Sequence, residues 1–179
     1  MSTFQKKYIQ DVIPAMRERF GYANAMAVPR IVKVVVNVGT GRMTHDKGGD
    51  EEVVKYITAI TGQRPVPCVA RTSIASFKTR QGQIIGYKVT IRSKRMNDFL
   101  ERLVSAVIPR TRDFRGLEPT SVDQGGNLTI GIKEHIIFPE TIGEDTRFLF
   151  GLETTVCTNA KTREEALELF RLLGFPIKK

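Results

Sequence analysis

The chain has 179 residues, 41% of them apolar and 26% charged, and its 28 Lys and Arg against 19 Asp and Glu give a net charge of +9. That balance suits one compact domain with a real core and excludes general disorder. Two cysteines without a second cysteine or histidine at ligand spacing signal neither a disulfide framework nor a zinc site, and no cofactor is implied. The charged first twenty residues and the lack of any long apolar run argue against secretion and a membrane span, so a reducing cytoplasmic setting is expected.

In chain order, Tyr8, Ile9, Val12, Ile13, Met16 and Phe20 stand at helical spacing and stop at Gly21, with Pro14 predicting a kink. Arg30 to Val38 is the clearest strand. Its even positions Val32, Val34, Val36 and Val38 form an aliphatic face, and Ile31, Lys33, Val35 and Asn37 form the other. Asp50 to Thr61 reads as a helix with Val53, Val54, Ile57 and Ile60 on one stripe and Gly62 as a left-handed stop. Tyr87 to Arg92 repeats the strand pattern, with Tyr87, Val89 and Ile91 on one side and Lys88, Thr90 and Arg92 on the other.

Ser93 to Val107 reads as a serine-capped helix ended by Pro109, with Met96, Phe99, Leu100, Leu103, Val104 and Val107 as its apolar stripe. Leu128 to Lys133 and Leu152 to Thr158 read as further strands. A last helix opens on a capping box, Thr162 with Glu165, buries Ala166, Leu169, Phe170 and Leu173, and closes at Gly174 and Pro176. The predicted fold class is α+β: a two-layer single domain over 1–179, with a largely antiparallel sheet, helices on one face and an exposed RNA-binding face. Lys33, Asn37, Lys88, Thr90 and Arg92 would project from that open face.

Charge is the most informative pattern. Between Glu52 and Asp98 there is no carboxylate, while Lys55, Arg64, Arg71, Lys78, Arg80, Lys88, Arg92, Lys94 and Arg95 all fall there. From Arg64 to Arg115, twelve cations face three carboxylates, a surplus equal to the net charge of the whole chain. A field of one sign confined to one region is the footprint of a polyanion partner. The stretch 70–86 reads as a long basic loop between strands. Its three cations, several hydroxyls and Phe77 suit an RNA backbone, with the ring available for packing or stacking.

Enzyme motifs are poor. Gly39-Thr40-Gly41 follows a strand, but Thr44 stands where a dinucleotide fingerprint needs its third glycine, and the phosphate-loop sequence is absent. His45 and His135 have no nucleophile at motif spacing. No catalytic residue and no metal ligand is assigned.

Several stretches in order carry a resemblance: Val36-Asn37-Val38-Gly39, Thr61-Gly62-Gln63-Arg64-Pro65, Ser73-Ile74-Ala75-Ser76-Phe77-Lys78, Lys88-Val89-Thr90-Ile91-Arg92, Arg112-Asp113-Phe114-Arg115-Gly116, Gly131-Ile132-Lys133-Glu134 with Ile137-Phe138-Pro139-Glu140, and the tail Gly174-Phe175-Pro176. Together they resemble the large-subunit ribosomal protein L-five family, bacterial type, over almost the whole chain. The resemblance implies a non-catalytic role: anchoring 5S rRNA in the central protuberance beside other central-protuberance proteins, touching 23S rRNA and P-site tRNA, and bridging to the small-subunit head protein S-thirteen. Asn37, Gln63 and Thr90 match family positions that contact 5S rRNA. Lys33, Lys88 and Arg92 join them by strand parity. The loop Ser73 to Gln83, with Ser73, Phe77, Lys78 and Arg80, matches the one that reaches toward the tRNA elbow. Arg110, Arg112 and Arg115 bracket a motif that reads equally as a fixed loop or an RNA contact. Thr141 departs from the family pattern, in which an aliphatic residue usually follows Phe-Pro-Glu, and Arg42 to Asp50 is richer in glycine than the usual start of the second helix.

Overall fold

A computed structural model describes residues 2–41, 48–112, 114–141 and 147–178. His45, Asp113 and most of the glycine-rich stretch before the second helix lie outside the described residues. The first helix, α1, joins an α-helical turn Thr3–Lys7, a π-helical turn Tyr8–Val12 and the α-helical stretch Ile13–Phe20. Proline inside a helix donates no hydrogen bond, and its ring collides with the carbonyl four residues back. The chain meets that difficulty before Pro14, where the Ile13 N–H reaches back five residues to Tyr8 O in a widened turn.

The same device recurs in α3, built from Ser93–Arg102, the π-helical turn Leu103–Val107 and Ile108–Arg110. There the Ile108 N–H bonds Leu103 O, so Pro109 does not end the helix as the sequence predicts, and the chain stays helical to Arg110. Ser93 is not the predicted cap either. It is the first helical residue, with φ of 55°, and Arg92 before it makes no side-chain cap.

The other elements are β1 (Ile31–Gly39), α2 (Gly49–Thr61), β2 (Val66–Val69), β3 (Ile84–Ile91), β4 (Leu128–Ile132), β5 (Leu152–Thr158) and α4 (Arg163–Leu173). The fold is α+β, with one five-stranded antiparallel sheet in the order β2-β3-β1-β5-β4. Alternation along the strands separates its faces. Val34, Val36, Val38, Tyr87, Val89, Ile91, Leu128, Ile130, Ile132, Leu152, Thr154 and Val156 are buried, and their neighbours along the strands are exposed or half-buried apart from Gly86. Val32 belongs to the aliphatic row but is 41% exposed, because apolar periodicity marks a face and not how far its cover extends.

By their contacts the residues form two compact units where the sequence shows no linker. The first comprises 1–34, 92–130 and 155–179. Its core holds Val12 and Met16 of α1, Phe99, Leu100, Leu103 and Val107 of α3, and Ala166, Leu169 and Phe170 of α4. The capping box of Thr162 and Glu165 opens α4, and Gly174 closes it at φ 98°. The second unit comprises 35–91 and 131–154. Here α2 packs on β3 and buries Val53, Tyr56, Ile57 and Ile60. Tyr56 takes the place the sequence assigned to Val54, which is half-buried. His135 is fully buried, stacked on Phe150 with ring centroids 4.0 Å apart and 4.7 Å from the Tyr56 ring. Thr141, also buried, satisfies its hydroxyl against His135 O at 3.2 Å and Phe138 O at 2.9 Å, so the polar departure from an aliphatic position leaves no orphan group.

Candidate nucleic-acid interface

Asn37, Lys88 and Thr90 are exposed in the second unit, each between buried neighbours on its strand. The strand that carries Lys88 and Thr90 pairs antiparallel with β2, in the register Val66↔Lys88, Pro67↔Tyr87 and Cys68↔Gly86. Lys88 therefore stands beside the exposed Val66, which lets the aliphatic stem of the lysine lie on an apolar neighbour while its charge faces outward. Gln63 is half-buried in the turn after Gly62. The Thr61 hydroxyl holds that turn, lying 2.7 Å from Ile57 O and accepting the Gln63 N–H at 3.3 Å, while the Gln63 amide is left unspent. Lys33, half-buried, and Arg92, exposed, belong to the first unit. None of Lys33, Asn37, Lys88, Thr90 and Arg92 spends its side chain on a partner among the described residues, which keeps these groups available to an outside ligand.

The basic loop is a built structure. Ile74 and Thr79 bridge as a short antiparallel pair, with Ile74 N to Thr79 O at 3.1 Å and Thr79 N to Ile74 O at 3.2 Å. A 3-10 turn, Ala75–Phe77, spans the gap and ends on Lys78 in the left-handed region at φ 53°. The Ser73 hydroxyl accepts the Gln81 N–H at 2.9 Å, and the Gln83 side chain accepts the Arg80 N–H at 3.0 Å. Ser73 thus shapes the loop from within. Phe77 is 74% exposed at its tip, and Lys78 and Arg80 are exposed beside it. An aromatic ring held out in water next to two cations is suited to stacking and to phosphate contact.

A cavity of about 740 Å³ opens in the same unit, lined among others by Gly39, Arg71, Thr72, Ile74, Phe77 and Leu149. Sequence reasoning missed it, because its walls come from segments far apart in the chain. The strand β2 was missed as well. Burial pushes the His135 imidazole below its usual range, and its Nδ1 accepts the Phe150 N–H at 3.5 Å. Among the described residues no cluster of His, Cys, Asp and Glu could hold a metal ion, Cys68 and Cys157 are free, and no helix is long and apolar enough to cross a membrane.

Fold and surface together define a class: a basic α+β protein whose sheet exposes polar and cationic side chains between buried rows, beside a basic loop bridged between Ile74 and Thr79. Comparison with known proteins gives the particular family. Residues 24–80 match the family model described as ribosomal protein L5, and residues 84–177 match the model that describes the C-terminus of the same ribosomal family. The large ribosomal subunit protein uL5 of Dictyoglomus thermophilum is 47% identical over 179 residues, covering all of both chains. That of Halothermothrix orenii is 48% identical over 176 residues, covering 98% of each, and that of Carboxydothermus hydrogenoformans is 46% identical over 179 residues, covering all of both. The chain belongs to the ribosomal protein L5 family. It is a structural constituent of the large ribosomal subunit and not an enzyme.

Proposed function

We propose that this chain anchors 5S rRNA in the central protuberance through the open sheet face of its second unit. Asn37, Thr90 and Gln63 supply hydrogen bonds, and Lys88 supplies phosphate contact; Lys33 and Arg92 extend the cationic set by strand parity. The observation that carries this reading is the alternation itself: Asn37, Lys88 and Thr90 are exposed, and unpaired among the described residues, at positions whose neighbours along the strand are buried. Solubility alone would be served as well by carboxylates, and neutral amide and hydroxyl groups are of most use against bases and 2′-hydroxyls. The bridged loop of Ser73 to Gln83, led by Phe77, Lys78 and Arg80, reaches P-site tRNA. Further contacts are made to 23S rRNA, to the small-subunit head protein S-thirteen and to other central-protuberance proteins on the cytoplasmic ribosome.

The test is a 5S rRNA footprint with and without the purified protein, together with its affinity for 5S rRNA and for an unrelated RNA of equal length at one fixed salt concentration. A discrete protected region and a clear preference for 5S rRNA are expected. Equal affinity for both RNAs would reduce the function to unspecific polyanion binding.

A further inference from the structure

A glycine inside a strand weakens it, through backbone entropy and a missing side chain, and so calls for a cause. At two other glycines, Gly86 within β3 and Gly151 just before β5, the cause is internal. At Gly86 a Cβ would stand 2.6 Å from Val38 O, and at Gly151 it would stand 3.0 Å from Ile132 O. Gly39 shows no such reason: its φ lies outside the left-handed region, and a Cβ built on it meets nothing within 4 Å among the described residues. Gly131 on β4 is equally open, but none of the proposed RNA contacts lies on its strand. Gly39 is exposed at the end of β1, on the face that carries Asn37 two residues earlier, and it lines the cavity shared with Arg71 and Thr72.

We propose that Gly39 is a positioning residue of the RNA interface that acts through the side chain it lacks. The inference rests on the reading above. Asn37 and Thr90 are short, so they reach only an RNA strand that lies almost flat on the sheet. Two residues of strand advance the chain by about 7 Å, which makes Gly39 the next position on that face of β1 to meet such a strand. A side chain there would lift the ribose-phosphate backbone away from Asn37. Gly86 on β3 adjoins it, since a Cβ on Gly86 would lie 3.5 Å from Gly39 Cα, but Gly86 is buried under the β1 backbone, so the open position is that of Gly39 alone. Beside it, Arg71 and Thr72 offer a cation and a hydroxyl to a phosphate.

The sign of the two effects makes the proposal testable. Gly39→Ala and Gly39→Val are compared with Asn37→Ala in thermal denaturation and in 5S rRNA titrations over a range of salt. Both glycine variants should melt at or above the wild-type temperature, because the backbone there is permissive and the space is open. Affinity for 5S rRNA should fall about tenfold with valine, the loss of roughly one charge-free hydrogen bond, and less with alanine. The slope of log affinity against log salt should not change, since no cation is removed. Wild-type affinity in Gly39→Val beside a weakened Asn37→Ala would overturn the role of Gly39 and leave the interface standing. Wild-type affinity in all three would overturn the interface and this inference with it. A lowered melting temperature in both glycine variants would show an internal role for Gly39 and also overturn the inference.

Discussion

Val36 and Asn37 are adjacent on β1, and the structure assigns them opposite consequences. Val36 is 1% exposed, so truncation to alanine removes two fully buried carbon groups at about 0.8 kcal/mol each and adds a cavity term, for about 2 kcal/mol in all. For a chain of this size that corresponds to a fall in Tm of roughly 4 to 8 °C. Asn37 is exposed and its side chain makes no bond among the described residues, so Asn37→Ala should change stability by less than about 0.5 kcal/mol. Its cost appears on binding, where a partner group on RNA left without its hydrogen bond loses about 1 to 3 kcal/mol, or roughly 5- to 150-fold in affinity. The assay pairs thermal melts with 5S rRNA gel-shift titrations performed well below either midpoint. Val36→Ala should melt early and bind normally, and Asn37→Ala should melt normally and bind weakly. A Val36→Ala protein that is stable but binds poorly, or an Asn37→Ala protein that unfolds early, would refute the assignment of the two faces.

Three further outcomes are expected. Lys88→Gln should lower the slope of log affinity for 5S rRNA against log salt by roughly 0.7 to 0.9, the share of one phosphate contact; an unchanged slope would remove Lys88 from the phosphate set. Neutralising Lys78 and Arg80 together should leave 5S rRNA affinity nearly intact and reduce P-site tRNA occupancy of ribosomes carrying the variant, with the reverse pattern assigning the loop to the 5S anchor. Burial lowers the pKa of His135, so the unfolded chain takes up a proton near the usual value of 6.5 that the folded chain resists. Its contribution to stability is therefore present above that pH and is lost as pH falls below it. His135→Phe should flatten the dependence of Tm on pH in that window, and an equally steep curve would show that other groups control it.

Periodicity made most of the fold legible. The alternation of Val34, Val36 and Val38, the stripe of Ala166, Leu169 and Phe170, and the Thr162 to Glu165 capping box each express a local preference that packing also rewards. What escaped was decided by tertiary context. Val66–Val69 contains a proline and exposes three of its four side chains, so its strand state comes from pairing with β3 and not from its own pattern. Ser93 has the chemistry of a cap, yet its left-handed backbone places it one step inside the helix. The site divides in the same way. Strand parity predicts the exposure of Asn37, Lys88 and Thr90, whereas the bridge of Ile74 with Thr79, which ties the two sides of the loop, depends on backbone pairing that composition does not encode.

The π-helical turns ahead of Pro14 and Pro109 also bear on how these helices can change. Each is one residue longer than the α-helical turn it replaces, and one residue of helix is about 100° of rotation. Closing Tyr8–Val12 to an α-helical turn while keeping all five residues would swing Thr3–Lys7 by roughly that angle about the helix axis. Phe4, now buried, would leave the core, and Lys7, which now donates to Leu173 O at 3.3 Å, would be carried away from it. Replacing Pro14 alone would remove the reason for the turn without correcting the phase. Proline and extra residue are thus coupled, and a change in either helix keeps its face inward only when both change together.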